Sequence, residues 1–434
     1  MTHTPNSIRT FRIDIAESDV DDLRRRITDA RWPRDLPTSG WERGIPTSYL
    51  RPLAEYWRDG FDWRAHEAQL NRLPQFVTDV DGQQIHFVHV RSTVPGARPL
   101  LLLHGWPSSF VEFVDVIGPL TDPVSHGGRE EDAMDVVIPS MPGFGFSPLA
   151  DAGWGDLFRV AGAMAEVMQR LGYERFLAQG TDVGSGVVAM LPMVAPGRII
   201  ATHVNGPSPF PLGPSIATDD LPAEEQERAA RFNAFREDGA GYLHIQATRP
   251  QTIAYGLTDS PVAQLAWIAE KFKEWSDPAA ALPEDAVDID RLLTTVSLYW
   301  FTQSGWSSAH ALYEGMQVYR QFASGAGASG DAGAGEWDMG SDVGASDAAA
   351  GGSDTAASDA AAGAWDGAGG GWEAPPAPPA AASIFAADLS VRSVVDPASA
   401  FESWTEHDSG GHFPAMEAPE LLVADMRRFF DGRR

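Results

Sequence analysis

Four short apolar runs, each ending in a loop with glycine or in a loop with glycine and proline, constrain the fold of this chain more than any other feature. Helix-length segments, such as residues 156–171 and 185–194, separate them. Strands that are apolar throughout are buried on both faces, so this alternation predicts a parallel sheet covered by helices. In such sheets ligands bind at the carboxyl ends of the strands, where these loops lie. The runs are in PLLLLHGWP, DVVIPSMPGFGFS, RFLAQGTD and RIIATHVNG.

The remaining chain divides into segments of different composition. An N-terminal module reads as three helices, with Ser18 as the expected cap of the first, and a β-hairpin follows around Asp81-Gly82. A helical cap interrupts the sheet domain where the strand pattern stops. A stretch of Gly, Ala, Ser and Asp after the cap cannot bury enough apolar surface to fold, so we expect a flexible insert. The predicted boundaries are 1–75 for the module, 76–206 and 383–434 for the sheet domain, 207–323 for the cap and 324–382 for the insert.

The composition of the 434-residue chain excludes several classes of function. Its formal net charge of −28 argues against nucleic-acid binding, which requires a basic surface. Cysteine is absent, which excludes disulfides and thiolate metal sites. The sequence has no secretion signal and no apolar run of about 18 residues, so we expect a cytoplasmic protein without a membrane anchor.

Asp182 occupies an unusual place, at the point where the third apolar run gives way to a helix. A carboxylate there is costly unless it is paired or takes part in chemistry. Gly180 and Gly184 lie two residues before and after it, the spacing of a nucleophile elbow. A carboxylate at a helix N-terminus is stabilised by the helix dipole and can form an ester intermediate. On this motif alone an ordinary N-cap aspartate fits equally well, whereas Ser185 lacks the first glycine of a serine elbow.

Hydrolases of this architecture carry nucleophile, acid and histidine in that order along the chain. After the cap, the sequence supplies Asp388 at the end of SIFAAD and His412 in the glycine loop of GGHFPA. Asp396 and Glu406 lie close enough in sequence to compete with Asp388 as the acid. A surface histidine without a catalytic role is the alternative for His412.

Two further loops contribute to the expected site. The HGWP loop follows the first parallel strand, so the backbone amides of Trp106 and Val183 would form an oxyanion hole. His104 in the same loop is expected to pack and form hydrogen bonds rather than act as a base. We expect Trp106, together with Phe144 of the PSMPGFGFS loop, to line the substrate pocket.

Taken together, the motifs of this chain resemble those of epoxide hydrolases of the microsomal and juvenile-hormone type, in a soluble, bacterial-looking form. The resemblance implies an α/β-hydrolase fold with a mostly parallel sheet, a helical cap and an N-terminal helical meander. It also implies the conversion of an epoxide and water to a vicinal diol without a cofactor. The motifs that carry it are DDLRRRITDARWP, LLLHGWPSSFVEF, PSMPGFGFS, GTDVGS, YWFTQSGWSSAHALYEG and GGHFPAMEAPELL.

The resemblance also implies a role for each site residue. Asp182 would attack an epoxide carbon to form a hydroxyalkyl ester, and His412, held by Asp388, would activate the water that hydrolyses this ester. Two cap tyrosines would donate hydrogen bonds to the epoxide oxygen, and by motif they match Tyr242 in GYLHIQ and Tyr313 in AHALYEG. Without the resemblance, either would be assigned to cap packing, with equal rivals in Tyr255, Tyr299 and Tyr319.

Other interpretations stay open at this point. A haloalkane or haloacid dehalogenase would use the same aspartate and histidine but would bind a halide, and Trp106 suits that role. A catalytically inactive binding protein of the same fold is the second alternative. Val183 stands where relatives often carry Trp, which predicts more room for substrate beside Asp182. The sequence has no HExxH metal motif and no complete dinucleotide motif, and a homodimer is compatible with it.

Overall fold

One sheet of nine strands organises the molecule. The computed structural model describes residues 7–34, 40–327 and 377–433. The strands are Arg9–Phe11 (β1), Gln75–Val80 (β2), Gln83–Val90 (β3), Arg98–Leu103 (β4), Met134–Pro139 (β5), Phe176–Gly180 (β6), Ile199–Asn205 (β7), Ala380–Ile384 (β8) and Ser403–Glu406 (β9).

The strand order across the sheet is β1-β2-β3-β5-β4-β6-β7-β8-β9. Strands β1, β2, β3 and β5 pair antiparallel in succession, and every pairing from β5 to β9 is parallel. The four leucines of β4, residues 100–103, are completely buried, as expected for a strand covered on both faces. The predicted mostly parallel sheet of an α/β-hydrolase fold is therefore confirmed.

Helices lie before, between and after these strands. Those of the N-terminal module are Glu17–Thr28 (α1), Thr47–Asp59 (α2) and Trp63–Leu70 (α3), and those between the sheet strands are Val114–Thr121 (α4), Leu157–Arg170 (α5) and Val183–Val194 (α6). The cap contains Ala223–Ala234 (α7), Gly241–Thr248 (α8), Pro250–Asp259 (α9), Pro261–Glu274 (α10), Ile289–Thr302 (α11) and Ser304–Gly327 (α12). The chain ends with Arg392–Val395 (α13), Pro414–Glu417 (α14) and Pro419–Phe430 (α15).

Local chemistry explains several boundaries of these elements. Asp81 and Gly82 both have positive φ, at 51° and 80°, which fits the tight turn of the predicted β2–β3 hairpin. The Asp156 carboxylate caps α5 by accepting a hydrogen bond from the Phe158 N–H at 2.9 Å. The helix α1 is present, but its predicted cap was wrong: Ser18 lies inside the helix, and Ala16 precedes it without a side-chain cap.

The N-terminal module packs on the cap. The buried Trp57 indole N–H donates to the Ser297 hydroxyl at 2.8 Å, joining α2 to α11. Tyr56 donates to Asp290 at 2.8 Å, and the Trp63 ring lies 4.9 Å from that of Phe301. The module therefore packs against α11 of the cap.

The predicted insert lies mainly outside the described residues, since 328–376 are not among them. Its predicted ends fall in regular elements, because α12 reaches Gly327 and β8 begins at Ala380. Residues 7–34, 40–315 and 377–433 belong to one compact unit, and residues 316–327 belong to another. Within the described ranges, no helix is both long and apolar enough to cross a bilayer.

Candidate active site

The turn between β6 and α6 holds Asp182 in a strained backbone conformation. Its φ of 51° and ψ of −125° are unusual for a residue with a side chain and cost about 1–3 kcal/mol. A Cβ on Gly180 would lie 2.4 Å from the Gly184 carbonyl oxygen, and one on Gly184 would lie 2.2 Å from that of Leu103. Only glycine fits at both positions. Asp182 stands at the N-cap position of α6, but its side chain makes no capping hydrogen bond. The carboxylate is therefore available for other interactions.

The two oxygens of the Asp182 carboxylate have different neighbours. The Trp106 backbone N–H donates to Oδ1 at 2.8 Å. His412 Nε2 lies 3.7 Å from Oδ2, and the side chains of Asp182 and His412 are both 27% exposed. The structure therefore brings Asp182, Trp106 and His412 together, as the sequence predicts. The HGWP loop approaches so closely that a Cβ on Gly105 would lie 2.2 Å from Asp182 Oδ1.

His412 lies in a loop that is bound to the cap. Its backbone N–H donates to the Trp275 carbonyl oxygen at 2.8 Å, and the two rings pack edge to face at 4.9 Å. The Gly410 N–H donates to the Asp277 carboxylate at 2.6 Å. Burial lowers the pKa of His412 and the Asp182 carboxylate partly opposes this shift, so the imidazole is neutral and able to accept a proton at neutral pH.

Asp388 lies just after β8 and is 8% exposed. Its Oδ2 accepts a hydrogen bond from the Phe385 N–H at 2.6 Å. Burial raises the pKa of Asp388 to about 7, against the opposing effects of that N–H, Arg228 and Arg231. Among the described residues, no hydrogen bond or ion pair within 4.0 Å joins Asp388 to His412. The structure thus does not bring Asp388 into contact with His412, and its predicted role stays a prediction.

The two rivals of Asp388 are engaged in other interactions. Glu406 pairs through both oxygens with Arg228 at 2.9 Å, and its side chain is 48% exposed. Asp396 accepts from the Ala400 N–H at 2.5 Å and so closes its own loop. Neither carboxylate has a described contact with His412. The segment of Asp388 does touch the histidine loop, since the Ala387 N–H donates to the Gly410 carbonyl oxygen at 3.3 Å.

Tyr242 of α8 packs on Trp106, the residue whose amide binds Asp182. Its ring stacks on Trp106 at a centroid distance of 4.8 Å and an angle of 9°, and lies 5.2 Å from Trp275. Burial raises the pKa of Tyr242 well above its ordinary value, and the Asp182 carboxylate raises it further. We call the three packed side chains of Trp106, Tyr242 and Trp275 the aromatic wall.

The other tyrosines differ in position. Tyr313 is half-buried on α12, and none of the described hydrogen bonds or ring contacts joins it to the aromatic wall. The Tyr299 hydroxyl donates to the Ser108 carbonyl oxygen at 2.9 Å, and Tyr255 and Tyr319 are 70% and 44% exposed. Tyr242 is therefore distinguished from its rivals by structure, whereas Tyr313 still depends on the motif.

The remaining predicted residues lie around this centre. Val183 is half-buried as the first residue of α6, and no described hydrogen bond engages its amide. Phe144 is buried, with its ring 5.3 Å from His104 and 6.5 Å from Tyr299. Burial lowers the pKa of His104 to about 4, so this histidine is a neutral packing residue.

Glu112 escaped prediction, although it lies close to Asp182. It is 1% exposed, and among the residues that the structure describes neither carboxyl oxygen has a hydrogen-bond partner. Burial raises the pKa of Glu112 to about 8, and Asp182 and Glu417 add to this shift. The nearby Ser108 hydroxyl lowers the pKa of Glu112 in part, although the described positions of the two side chains do not form a hydrogen bond. The one available signal was an acidic residue inside the apolar FVEF motif.

Comparisons with known proteins agree with this geometry. Residues 8–113 match the family model described as epoxide hydrolase N terminus, and residues 98–266 match that of the alpha/beta hydrolase fold. A protein of Stigmatella aurantiaca named "Putative epoxide hydrolase" is 39% identical over 98% of this chain and 84% of its own length. Epoxide hydrolase 1 of Sus scrofa is 34% identical over 68% of this chain and 70% of its length.

Solved structures give the same result. The Aspergillus niger epoxide hydrolase superposes with a TM-score of 0.75 at 27% identity, covering 100% of this chain and 97% of that one. The juvenile hormone epoxide hydrolase of the silkworm Bombyx mori superposes with a TM-score of 0.72 at 27% identity, covering 98% and 93%.

Proposed function

The chain belongs to the epoxide hydrolase family, and we propose that Asp182 is the nucleophile with which it converts an epoxide and water to a vicinal diol. The observation that carries this proposal is the unequal environment of the two Asp182 oxygens. Oδ1 is held by the Trp106 amide at 2.8 Å, whereas Oδ2 lies on the side of His412 at 3.7 Å. Oδ2 is therefore the oxygen that attacks.

The first step forms a covalent ester. Asp182 Oδ2 bonds to an epoxide carbon, the carbon–oxygen bond breaks, and its electron pair moves to the epoxide oxygen. An alkoxide is a poor leaving group, so this oxygen must receive a proton or a strong hydrogen bond. Tyr242 and Tyr313 are the proposed donors, and the position of Tyr242 beside Asp182 supports its role. The aromatic wall and Phe144 line the proposed pocket, and the small Val183 leaves room beside Asp182.

The second step releases the diol. His412 takes a proton from water, and the water oxygen attacks Cγ of the ester. The negative charge that develops on Oδ1 is stabilised by the Trp106 N–H, with the Val183 N–H as its proposed partner in the oxyanion hole. The ester bond to Oδ2 then breaks and the diol oxygen receives the proton from His412. Oδ2 leaves with the product, and the oxygen of water stays in Asp182. The second proton of that water is released when the new carboxylic acid of Asp182 ionises, and it replaces the proton that the tyrosine gave to the epoxide oxygen.

Asp388 is the proposed partner of the imidazolium that forms on His412. Its burial and its position next to a segment bonded to the histidine loop support this role. The pairing requires a side-chain rotation, since the two groups are not hydrogen-bonded. The cytoplasmic location and the homodimer stay predictions from the sequence.

A single turnover in water enriched in oxygen-18, with enzyme in excess over epoxide, tests the covalent scheme. The label should enter the peptide that contains Asp182 and be absent from the diol. Label that appears directly in the diol would contradict the scheme. The Asp182→Asn variant should form no diol, the exposed Asp219→Asn variant should keep its activity, and His412→Gln should accumulate the ester on the same peptide.

The dehalogenase alternative is tested with the same protein. A haloalkane of matched size should release no halide under conditions in which the epoxide is consumed. Halide release at a comparable rate would favour the alternative.

A further inference from the structure

We propose that Lys271 is a positioning residue for epoxide opening, because its ammonium group lies against the ring of Tyr242 and favours proton donation by that phenol. The proposal rests on the proposed function of Tyr242. Lys271 lies on the cap helix α10, and no sequence motif indicates a catalytic role for it.

The side chain of Lys271 is buried against the aromatic wall. It is 4% exposed, and Nζ lies 4.9 Å from the ring centroid of Tyr242 and 5.8 Å from that of Trp275. A desolvated ammonium at such distances from aromatic rings is attracted to their negative faces. The cation is therefore directed at the wall rather than at solvent.

Two carboxylates offset the cost of burying this charge. Nζ lies 2.6 Å from Glu274 Oε2 and 3.0 Å from Glu270 Oε2. Both acids keep partial access to solvent, with side chains 39% and 21% exposed. The buried ammonium therefore contacts two carboxylates and, at the same time, lies within cation–π distance of the aromatic wall.

The choice of lysine is itself unusual in this chain. Of its 32 Lys and Arg residues, only Lys271 and Lys273 are lysines. Arginine presents a broad planar fork, whereas lysine carries a compact charge at the end of an apolar stem. The compact group suits a site bounded by two aromatic rings and two carboxylates.

The chemistry of the first step explains what this cation does. As the epoxide bond breaks, the phenol of Tyr242 transfers its proton partly or fully to the epoxide oxygen. Its ring then becomes more negative. Burial, Asp182 and Glu274 all oppose this change. Lys271 favours the change, because the attraction between its ammonium group and the ring grows as the ring gains negative charge. This attraction is therefore stronger in the transition state than in the ground state.

A double-mutant cycle with rapid-quench single turnovers tests the proposal, with ester formation and ester hydrolysis measured separately. Lys271→Met should slow ester formation about tenfold, leave hydrolysis unchanged, and have no further effect in the Tyr242→Phe background. Lys271→Arg should recover part of the rate, and the matched control Lys273→Met should stay within about twofold of the native rate. Circular dichroism and thermal unfolding verify that each variant is folded.

Several outcomes would overturn the proposal. If Lys271→Met forms the ester at the native rate while Tyr242→Phe is slow, the proposal for Lys271 is wrong. The proposed function of Tyr242 then still holds. An equal loss in the native and Tyr242→Phe backgrounds would show a structural effect. A native rate in Tyr242→Phe would instead remove the role of Tyr242, and this inference with it. Where Lys271→Met does not fold, Lys271→Gln replaces it, because glutamine keeps polar contact with Glu270 and Glu274 but carries no charge. It should slow ester formation to a similar extent, and a native rate would contradict the proposal.

Discussion

Replacing Glu112 by glutamine should change how the stability of the protein depends on pH. The folded protein holds the pKa of Glu112 at about 8, against an ordinary value of 4.5. Between these two values the unfolded chain has lost the proton and the folded protein keeps it. The folded state then binds more protons than the unfolded state, so its stability falls as pH rises through this window and levels off above the folded pKa.

The size of the effect follows from the shift. Each pH unit within the window costs about 1.4 kcal/mol, so the Glu112 contribution at pH 7 is an unfavourable ~3 kcal/mol. Glutamine has nearly the same shape and does not titrate, so Glu112→Gln removes this dependence. Asp388 and Glu417 are buried acids whose pKa is also raised, each to about 7, but they occur in both proteins and cancel in the difference.

Urea unfolding of the native protein and Glu112→Gln at pH 5, 6, 7 and 8 measures this difference. The free energy of unfolding of the variant, relative to native, should rise by about 4 kcal/mol from pH 5 to pH 8. The exposed Glu130→Gln variant is the control and should show a constant difference. A constant difference for Glu112→Gln as well would refute the reasoning, since it would mean that the carboxyl is ionised in the folded protein.

Three further predictions concern activity. Gly105→Ala should slow ester formation by about a hundredfold or more, because its Cβ would lie 2.2 Å from Oδ1 of Asp182, the proposed nucleophile; a native rate in stopped-flow experiments would contradict the crowding. Tyr242→Phe and Tyr313→Phe should each slow ester formation without abolishing it, and a double variant at full rate in the same experiment would exclude both. Glu417→Gln should slow ester hydrolysis about tenfold and let the ester accumulate in mass spectra, because Glu417 accepts hydrogen bonds from the N–H groups of Asp277 and Phe413 at 2.7 and 3.0 Å; no accumulation would show that these bonds do not position the base.

Sequence patterns predict the central strands well and the edge strands poorly. A run such as the four leucines of β4 must be buried on both faces, so its own composition identifies it. The edge strands β1 and β9 are short and largely exposed or half-buried. Pairing with a neighbour defines them more than their own residues do, and sequence reasoning did not find them.

The site divides in a similar way. The position of Asp182 could be predicted because its turn imposes glycine at fixed spacing on both sides. Lys271 and Glu112 were not predicted, since a charged side chain is normally solvated and tertiary packing is what buries these two. Spacing places Asp388 near the end of a strand, but it does not determine which group its carboxylate binds.

The bonds between the histidine loop and the cap restrict how substrate can enter. The His412 N–H is bound to Trp275 and the Gly410 N–H to Asp277, while the Phe413 ring stacks on Phe272 of α10 at 4.2 Å. If the cap swung away as a hinged lid, these bonds between the cap and the loop of His412, the proposed general base, would have to break at every turnover. Epoxide and diol must then pass through a permanent opening or past rotating side chains, and bulky substrates should be limited by the width of that passage rather than by the chemistry.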